Sequence, residues 1–174
     1  MTTPKPAFNF DELYADHGKP LYRFCLRLMG ERVEAEDLAQ DVFVAALVGK
    51  EKFRKDSSVR TWLFRIAIYK ARDRQRRRKR EVRTQEEIPY QDVYANERMA
   101  IEHGIEQLPE KLKNAFILVK AEQFTTAEAA EILGVPEGTV KYHVFEAIQR
   151  LRSALAPQPV SISISKAEEA NHAV

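Results

Sequence analysis

Apolar residues in the first half of the chain recur at steps of three and four, a period that predicts helices rather than strands. A first helical region runs from about residue 10 and ends at Gly30, with Gly18 to Pro20 as an expected irregularity. A second helix is expected over residues 33–48 and stops at Gly49, and a third begins near Val59. Three such helices predict a small bundle over residues 10–80.

The periodicity weakens over residues 81–97, where acidic residues surround a proline, so this stretch is interpreted as a linker. Short helices are predicted over residues 98–156, with Pro109 at the first position of one of them. Residues 1–9 and 157–174 are expected to be tails, the second of them disordered because its Val/Ile–Ser alternation has no partner strand. The predicted fold is all-α, with two small helical bundles joined by a flexible linker.

A helix-turn-helix is predicted inside the second bundle. Thr125 and Glu128 have the spacing of a capping box, and Gly134 permits a left-handed exit before the chain restarts at Pro136. This pattern is typical of DNA-binding units, although a helical hairpin that meets only water is the alternative. The outward positions of its second helix are candidates for base and phosphate contacts: Glu137, Gly138, Thr139, Lys141, Tyr142, His143 and Glu146.

Charge is nearly balanced over the whole chain, with 28 Lys plus Arg and 26 Asp plus Glu, but it is unevenly placed. Residues 50–83 hold 15 basic and 4 acidic residues, which leaves 13 basic and 22 acidic residues elsewhere. Such a basic run is often a solvated helix end; here it continues an apolar-periodic helix, which favours a contact with phosphates. The candidate phosphate-binding residues are Arg72, Arg74, Arg76, Arg77, Arg78, Lys79 and Arg80.

Composition excludes collagen-like, disulfide-stapled and wholly disordered chains. The single Cys25 allows no internal disulfide, and a reducing cytoplasm is the expected location. The apolar runs are far shorter than the roughly 20 residues that span a bilayer, and no secretory signal is visible. We expect no enzyme, cofactor or metal site, because the chain lacks a phosphate-cradling glycine loop, metal-like histidine spacing and a nucleophile paired with a base.

Three segments, in this order along the chain, carry a resemblance: residues 34–43, residues 59–67 running into the arginine block, and residues 128–141. Together they resemble the bacterial sigma factors of RNA polymerase, and the length resembles the extracytoplasmic-function (ECF) group. The resemblance implies a dissociable subunit that binds core RNA polymerase, directs it to promoters and helps melt the minus-ten element. It assigns residues 10–80 to sigma region 2 and residues 98–156 to sigma region 4, which contacts the minus-thirty-five element.

The resemblance also implies roles for individual residues and partners. A polar face of the second helix would dock on the clamp helices of the largest polymerase subunit, through Glu34, Asp37, Gln40 and Asp41. The second-largest subunit would contribute its flap, and an anti-sigma factor is a further expected partner. Minus-ten DNA would meet the loop and the third helix, at Phe53, Arg54, Lys55, Asp56, Ser57, Ser58, Arg60, Trp62, Arg65 and Tyr69, although the apolar neighbours of Trp62 favour a core position. Separate acidic and basic faces are expected to bind polymerase and DNA without competition.

The competing hypothesis is a stand-alone repressor or activator that binds a palindromic operator as a dimer through the same helix-turn-helix. No obvious dimerisation segment supports it, and it leaves the acidic and basic helices without roles. Departures from the family pattern at Tyr69, Glu146 and Ile148 indicate that promoter preference is unusual.

Overall fold

The computed structural model describes residues 9–49, 53, 57–81 and 97–155, and these residues form helices and no strand. Of the expected linker over 81–97, residues 82–96 lie outside the described residues, whereas Glu81 and Glu97 belong to helices. Residues 1–8 of the first expected tail and the whole tail 157–174 also lie outside. Within these described ranges seven α-helices follow one another, with a short π-helical stretch, Ile117–Ala121, between the fifth and sixth. They are α1 Phe10–Met29, α2 Arg32–Gly49, α3 Val59–Glu81, α4 Glu97–Glu106, α5 Glu110–Phe116, α6 Thr126–Leu133 and α7 Glu137–Leu155.

Helix α1 is continuous, so the irregularity predicted at Gly18 to Pro20 is wrong. Pro20 removes one backbone donor within the helix, and burial of the neighbouring face, including Leu21 and Phe24, offsets that loss. Local side-chain and backbone signals mark both ends of α1. At its start, the Asn9 side chain accepts a hydrogen bond from the Glu12 amide at 2.8 Å. Gly30 ends the helix, as predicted, and takes the left-handed conformation at φ 75°.

Helices α1, α2 and α3 pack into the first bundle. Its centre is the stacked pair Phe24 and Phe64, whose ring centroids lie 4.5 Å apart. Trp62 is buried with 8% of its surface exposed, which confirms the core position that its neighbours favour. Burial also raises the pKa of the Cys25 thiol to about 12, so this cysteine is an inert core residue.

Helices α4 to α7 form the second bundle, in which α7 packs against α4, α5 and α6. Helix α5 begins at Glu110 and not at Pro109, because the Pro109 ψ of 140° lies outside the helical region. The capping box is present, with the Thr125 amide donating to Glu128 Oε2 at 2.8 Å and the Glu128 amide to Thr125 Oγ1 at 3.2 Å. Gly134 takes the predicted left-handed conformation at φ 67°. The helix-turn-helix is therefore α6–turn–α7.

The two bundles pack against each other through a shared apolar core. The Phe124 ring, just before α6, meets the Phe64 ring of α3 edge to face, with the centroids 4.9 Å apart. Helix α3 also contacts α6 directly. None of the described helices combines the length and the hydropathy needed to cross a bilayer.

Candidate polymerase and DNA interfaces

The predicted polymerase-binding residues form one row on the outer face of α2. Glu34, Asp37, Gln40 and Asp41 recur at steps of three, three and one, while Leu38 and other residues between them are buried. Asp37 and Gln40 are exposed, and Glu34 and Asp41 are partly exposed. Burial of the opposite face of α2 therefore turns an acidic row towards solvent, where a cationic surface can reach it.

Arg74 of the predicted phosphate-binding run reaches this acidic row. Its Nη2 lies 2.7 Å from Asp41 Oδ2, and its Nη1 lies 3.4 Å from Glu34 Oε2. Burial by itself would lower the pKa of Arg74, but the hydrogen bond from Arg74 to Asp41 and the charges of Asp41, Glu34 and Asp37 together outweigh it and raise that pKa. The acidic and basic faces, which were expected to be separate, therefore touch at this position.

The loop before α3 carries part of the predicted minus-ten set, of which Arg54, Lys55 and Asp56 lie outside the described residues. The Phe53 ring lies 5.1 Å from the buried Trp62 ring, measured between centroids. Ser58 caps α3, because its hydroxyl oxygen accepts from the Thr61 amide at 3.0 Å. The structure therefore gives Phe53, Ser58 and Trp62 packing or capping contacts, while Ser57 is half-buried beside them.

Three further residues of the minus-ten set lie on α3. Arg60 donates to the main-chain oxygen of Glu122, and Arg65 Nη1 lies 3.4 Å from Glu131 Oε1. Both contacts are made with the second bundle. Tyr69 is directed to solvent, with 71% of its surface exposed. The structure thus exposes Tyr69 to solvent but engages Arg60 and Arg65 in contacts between the bundles.

Residues of the basic run on the C-terminal half of α3 differ in their partners and in their exposure to solvent. Arg72 donates to the Leu133 carbonyl at 3.4 Å and lies 3.7 Å from Glu110, both in the second bundle. Arg77 pairs with Asp73 one turn earlier at 2.9 Å. Arg77 is nevertheless exposed, as are Arg76, Arg78 and Arg80. Arg76 lies 3.9 Å from the same Asp73 carboxylate, and Arg80 donates to the Arg76 carbonyl at 3.3 Å. Lys79 lies in α3, and its side chain is outside the described part of the chain.

A partly buried ion pair between the bundles was not among the predicted sites. Arg27 of α1 donates to the Glu122 carboxylate, and only 6% of the Glu122 side chain is exposed. Gln123, the next residue, has a φ of 58°, a value that non-glycine residues rarely take. This turn directs Glu122 and Phe124 into the first bundle. An acidic residue and a large aromatic residue directly before a capping box are the sequence signal that was available.

The predicted minus-thirty-five residues lie along the first half of α7. Glu137 accepts from the Thr126 hydroxyl at 2.6 Å and pairs with Lys141 at 2.9 Å; these two hydrogen bonds lower the pKa of Glu137. Glu146 is held by Arg150 at 3.1 Å. Tyr142 is exposed, and His143 is half-buried beside it.

Gly138 and Thr139 lie in the first turn of α7. A Cβ at Gly138 would meet no described atom within 4 Å, so packing does not require glycine there. Open space at this position lets a backbone come close to a ligand such as a phosphate.

A cleft of about 520 Å³ separates α3 from the helix-turn-helix. Its wall includes Arg72 and Arg76 of the predicted phosphate-binding run and Thr139 and His143 of the predicted minus-thirty-five set. The other lining residues were not predicted to contact DNA: Glu110, Lys111, Leu133, Gly134 and Val135. The structure therefore brings the two predicted DNA-binding sets together across one cleft.

Comparison with known proteins identifies both bundles. The Sigma-70 region 2 family model matches residues 13–81, and the Sigma-70 region 4 model matches residues 98–151. The chain is 30% identical to the RNA polymerase sigma-H factor of Pseudomonas aeruginosa, over 85% of this chain and 86% of the relative. It is 29% identical to the ECF sigma factor SigM of Mycobacterium tuberculosis, over 91% of this chain and 83% of the relative.

A solved structure shows the same fold. The sigma factor RpoE of Bartonella quintana, in complex with the anti-sigma factor NepR, is 26% identical and superposes with a TM-score of 0.73 over 86% of this chain and 98% of that chain. The matches to sigma regions 2 and 4 along the chain, the ECF sigma factor relatives and the fold shared with the Bartonella quintana sigma factor show that this chain belongs to the ECF group of the sigma-70 family of RNA polymerase sigma factors.

Proposed function

We propose that this chain docks on the clamp helices of the largest polymerase subunit through the acidic row of α2. The single observation that carries the proposal is this exposed row, since it lies within the segment matched by sigma region 2. The second bundle would contact the flap of the second-largest subunit and place α7 in the major groove of the minus-thirty-five element. Core polymerase catalyses transcription, and this chain determines which promoters the polymerase binds.

Promoter melting by such a subunit needs no covalent step, only binding groups for unstacked bases. Losing one stacked step costs a few kcal/mol, which aromatic and cationic side chains can offset. Tyr69, Arg60 and Arg65 on α3 are suited to this by chemistry, and the basic residues that follow can hold the adjacent duplex by its phosphates. Residues that hold phosphates fix the register of the promoter on the protein.

The packed arrangement of the bundles restricts when these contacts can form. Arg60 and Arg65 contact the second bundle, so bound promoter DNA would compete with that bundle for the same guanidinium groups. We therefore infer that the second bundle moves away from α3 when the chain joins the polymerase. Separation frees both arginines and also opens the cleft in front of α7.

An anti-sigma factor is the regulatory partner that we infer. The similar Bartonella quintana sigma factor was solved in complex with one, and it covers most of this chain. A partner that stabilises the packed arrangement would keep Arg60 and Arg65 away from DNA. No membrane insertion of this chain is part of the proposal.

Run-off transcription over a promoter library tests the proposed function. Purified core polymerase is assayed with and without this chain, and with the double variant Asp37→Ala/Gln40→Ala, which removes the two exposed members of the acidic row. We expect promoter-specific transcripts that require the wild-type chain and fall about tenfold or more with the variant, because each lost interface contact weakens docking. The Glu36→Ala variant, on the same helix but outside the row, is the control. A palindromic footprint formed without polymerase would instead support the stand-alone repressor.

A further inference from the structure

Arg74 joins two surfaces that the proposed function assigns to different macromolecules. Its guanidinium leaves α3 towards α2 and contacts Asp41 at 2.7 Å and Glu34 at 3.4 Å, where it also donates to the Glu34 carbonyl at 3.4 Å. The Arg74 side chain is 26% exposed, whereas those of Glu34 and Asp41 are 42% and 50% exposed. The carboxylates are thus open to a partner while a cation of the same chain already holds them.

The two roles of these carboxylates compete by their chemistry. An ionised carboxylate only accepts hydrogen bonds, and a guanidinium only donates them. The 2.7 Å contact with Asp41 has the length of a strong charge-assisted bond, so it occupies an oxygen that an incoming cation would use. A basic partner surface must therefore displace Arg74 or approach a row that is already partly neutralised.

We propose that Arg74 is an internal competitor for the acidic row of α2, and that docking of the polymerase displaces it towards promoter phosphate. The proposal rests on the proposed function, because it takes the cationic partner of Glu34 and Asp41 to be the polymerase. Binding free energies are linked reciprocally, so a cation released by docking strengthens DNA binding, and bound DNA that holds Arg74 strengthens docking. Arg74 then couples polymerase binding to promoter binding through one side chain.

Arg77 provides a matched control on the same helix. It belongs to the same basic run and carries the same charge, but it pairs with Asp73, one turn earlier on α3, at 2.9 Å. Replacing either arginine removes one cation from the DNA-binding run. Only the replacement of Arg74, and not that of Arg77, also removes the cation that holds Glu34 and Asp41.

The test measures the affinity of the full-length chain for core polymerase and the affinity of the resulting holoenzyme for promoter DNA. Arg74→Ala is expected to bind core polymerase about three- to fivefold more tightly than wild type, because the change removes one competing cation whose contacts with Glu34 and Asp41 are partly exposed. Arg77→Ala is expected to bind core polymerase like wild type. Both variants should bind promoter DNA more weakly as holoenzyme, because each has lost one cation.

A double-mutant cycle separates competition from a general effect on the bundle. Asp41→Asn should weaken core binding more in the Arg74→Ala background than in wild type, because Asp41 is then not shared with a competitor. Arg74→Gln should behave like Arg74→Ala, and it keeps much of the arginine stem if packing around the stem matters for folding.

Two results would overturn the proposal, and they are distinguishable. Unchanged or weaker core binding by both Arg74 variants, with wild type binding normally, would show that Arg74 only braces α3 against α2. Failure of the wild-type chain to bind core polymerase would overturn the proposed function, and the proposal with it.

Discussion

The Arg60 guanidinium lies 3.8 Å from the centroid of the Phe124 ring and 5.3 Å from that of Phe64. Arg60 belongs to α3 of the first bundle, and Phe124 precedes α6 of the second. A guanidinium over an aromatic face contributes about 0.5–2 kcal/mol, more as water is excluded from the contact. A residue predicted to meet minus-ten DNA is thus one of the groups that hold the bundles together.

Replacing Phe124 should separate the bundles. Phe124 is 3% exposed and contacts both Arg60 and Phe64, so Phe124→Ala removes apolar and cation–π contacts together. A buried Phe→Ala change costs about 3–5 kcal/mol, and here much of that loss falls on the packing between the bundles. We expect a larger radius of gyration in small-angle X-ray scattering and stronger binding of a promoter fragment by the free chain.

Phe145 supplies the control for this change, because its side chain lies on α7 and is mostly exposed. Phe145→Ala should leave the radius of gyration unchanged. If Phe124→Ala kept the wild-type radius while losing stability, Phe124 would serve the core of the second bundle alone.

The capping box should make a pH-dependent contribution to stability. Hydrogen bonds from the amide and hydroxyl of Thr125 lower the pKa of Glu128. A carboxylate whose pKa is lower in the folded state stabilises the fold above its ordinary pKa of about 4.3, and this contribution is lost as pH falls through the folded value. We expect Glu128→Gln to lose about 0.5–1 kcal/mol of unfolding free energy at pH 7.

Denaturant titrations of wild type and Glu128→Gln at pH 7 and near pH 3 measure this effect. The difference between the two proteins should shrink at the lower pH, because wild-type Glu128 is then increasingly protonated. A difference of equal size at both pH values would mean that the ionised form of Glu128 does not matter for the cap.

Salt should weaken promoter binding steeply. If about six phosphates are neutralised, the logarithm of holoenzyme affinity should fall with the logarithm of salt concentration at a slope of about −5. Arg77→Ala should reduce the size of this slope by about one, as expected for the loss of one phosphate contact. Fluorescence anisotropy of a labelled promoter over a salt series gives both slopes, and identical slopes would remove Arg77 from the phosphate-binding set.

Glu146 should influence the choice of minus-thirty-five sequence. Its carboxylate is paired with Arg150 at 3.1 Å, and a carboxylate can accept a hydrogen bond from the amino group of cytosine. Glu146→Arg should therefore change the preferred sequence, by about 1–3 kcal/mol at the affected base pair, rather than strengthen binding to every promoter. A selection from randomised promoters that returned the wild-type preference would contradict this.

Much of the helical framework could be predicted because it depends on local signals. Gly30 and Gly134 end helices in the left-handed conformation, and the capping box of α6 depends on two residues three positions apart. Trp62 is buried as its apolar neighbours indicate. Pro20 is the counterexample: the local rule predicts a break, but packing of α1 against α2 and α3 keeps the helix continuous.

The contacts between distant segments could not be predicted in the same way. Arg27 and Glu122 are 95 positions apart, and no periodic pattern connects them. Arg74 belongs to a run in which every arginine looks alike in sequence, and only the placement of α3 on α2 turns it to Asp41 and Glu34. The helix face on which a charged residue lies can be deduced from the spacing of apolar residues in the sequence. The partner of that charged residue depends on how distant helices pack together.

The contact between the bundles has a further consequence because both belong to one polypeptide. Only 15 residues, 82–96, join α3 to α4. A short tether of this kind keeps each bundle at an effective concentration on the order of millimolar around the other. Any ligand for the surface of α3 that the second bundle covers must therefore compete with a partner held at this concentration. A ligand that contacts a large area of α3, or both bundles at once, competes best.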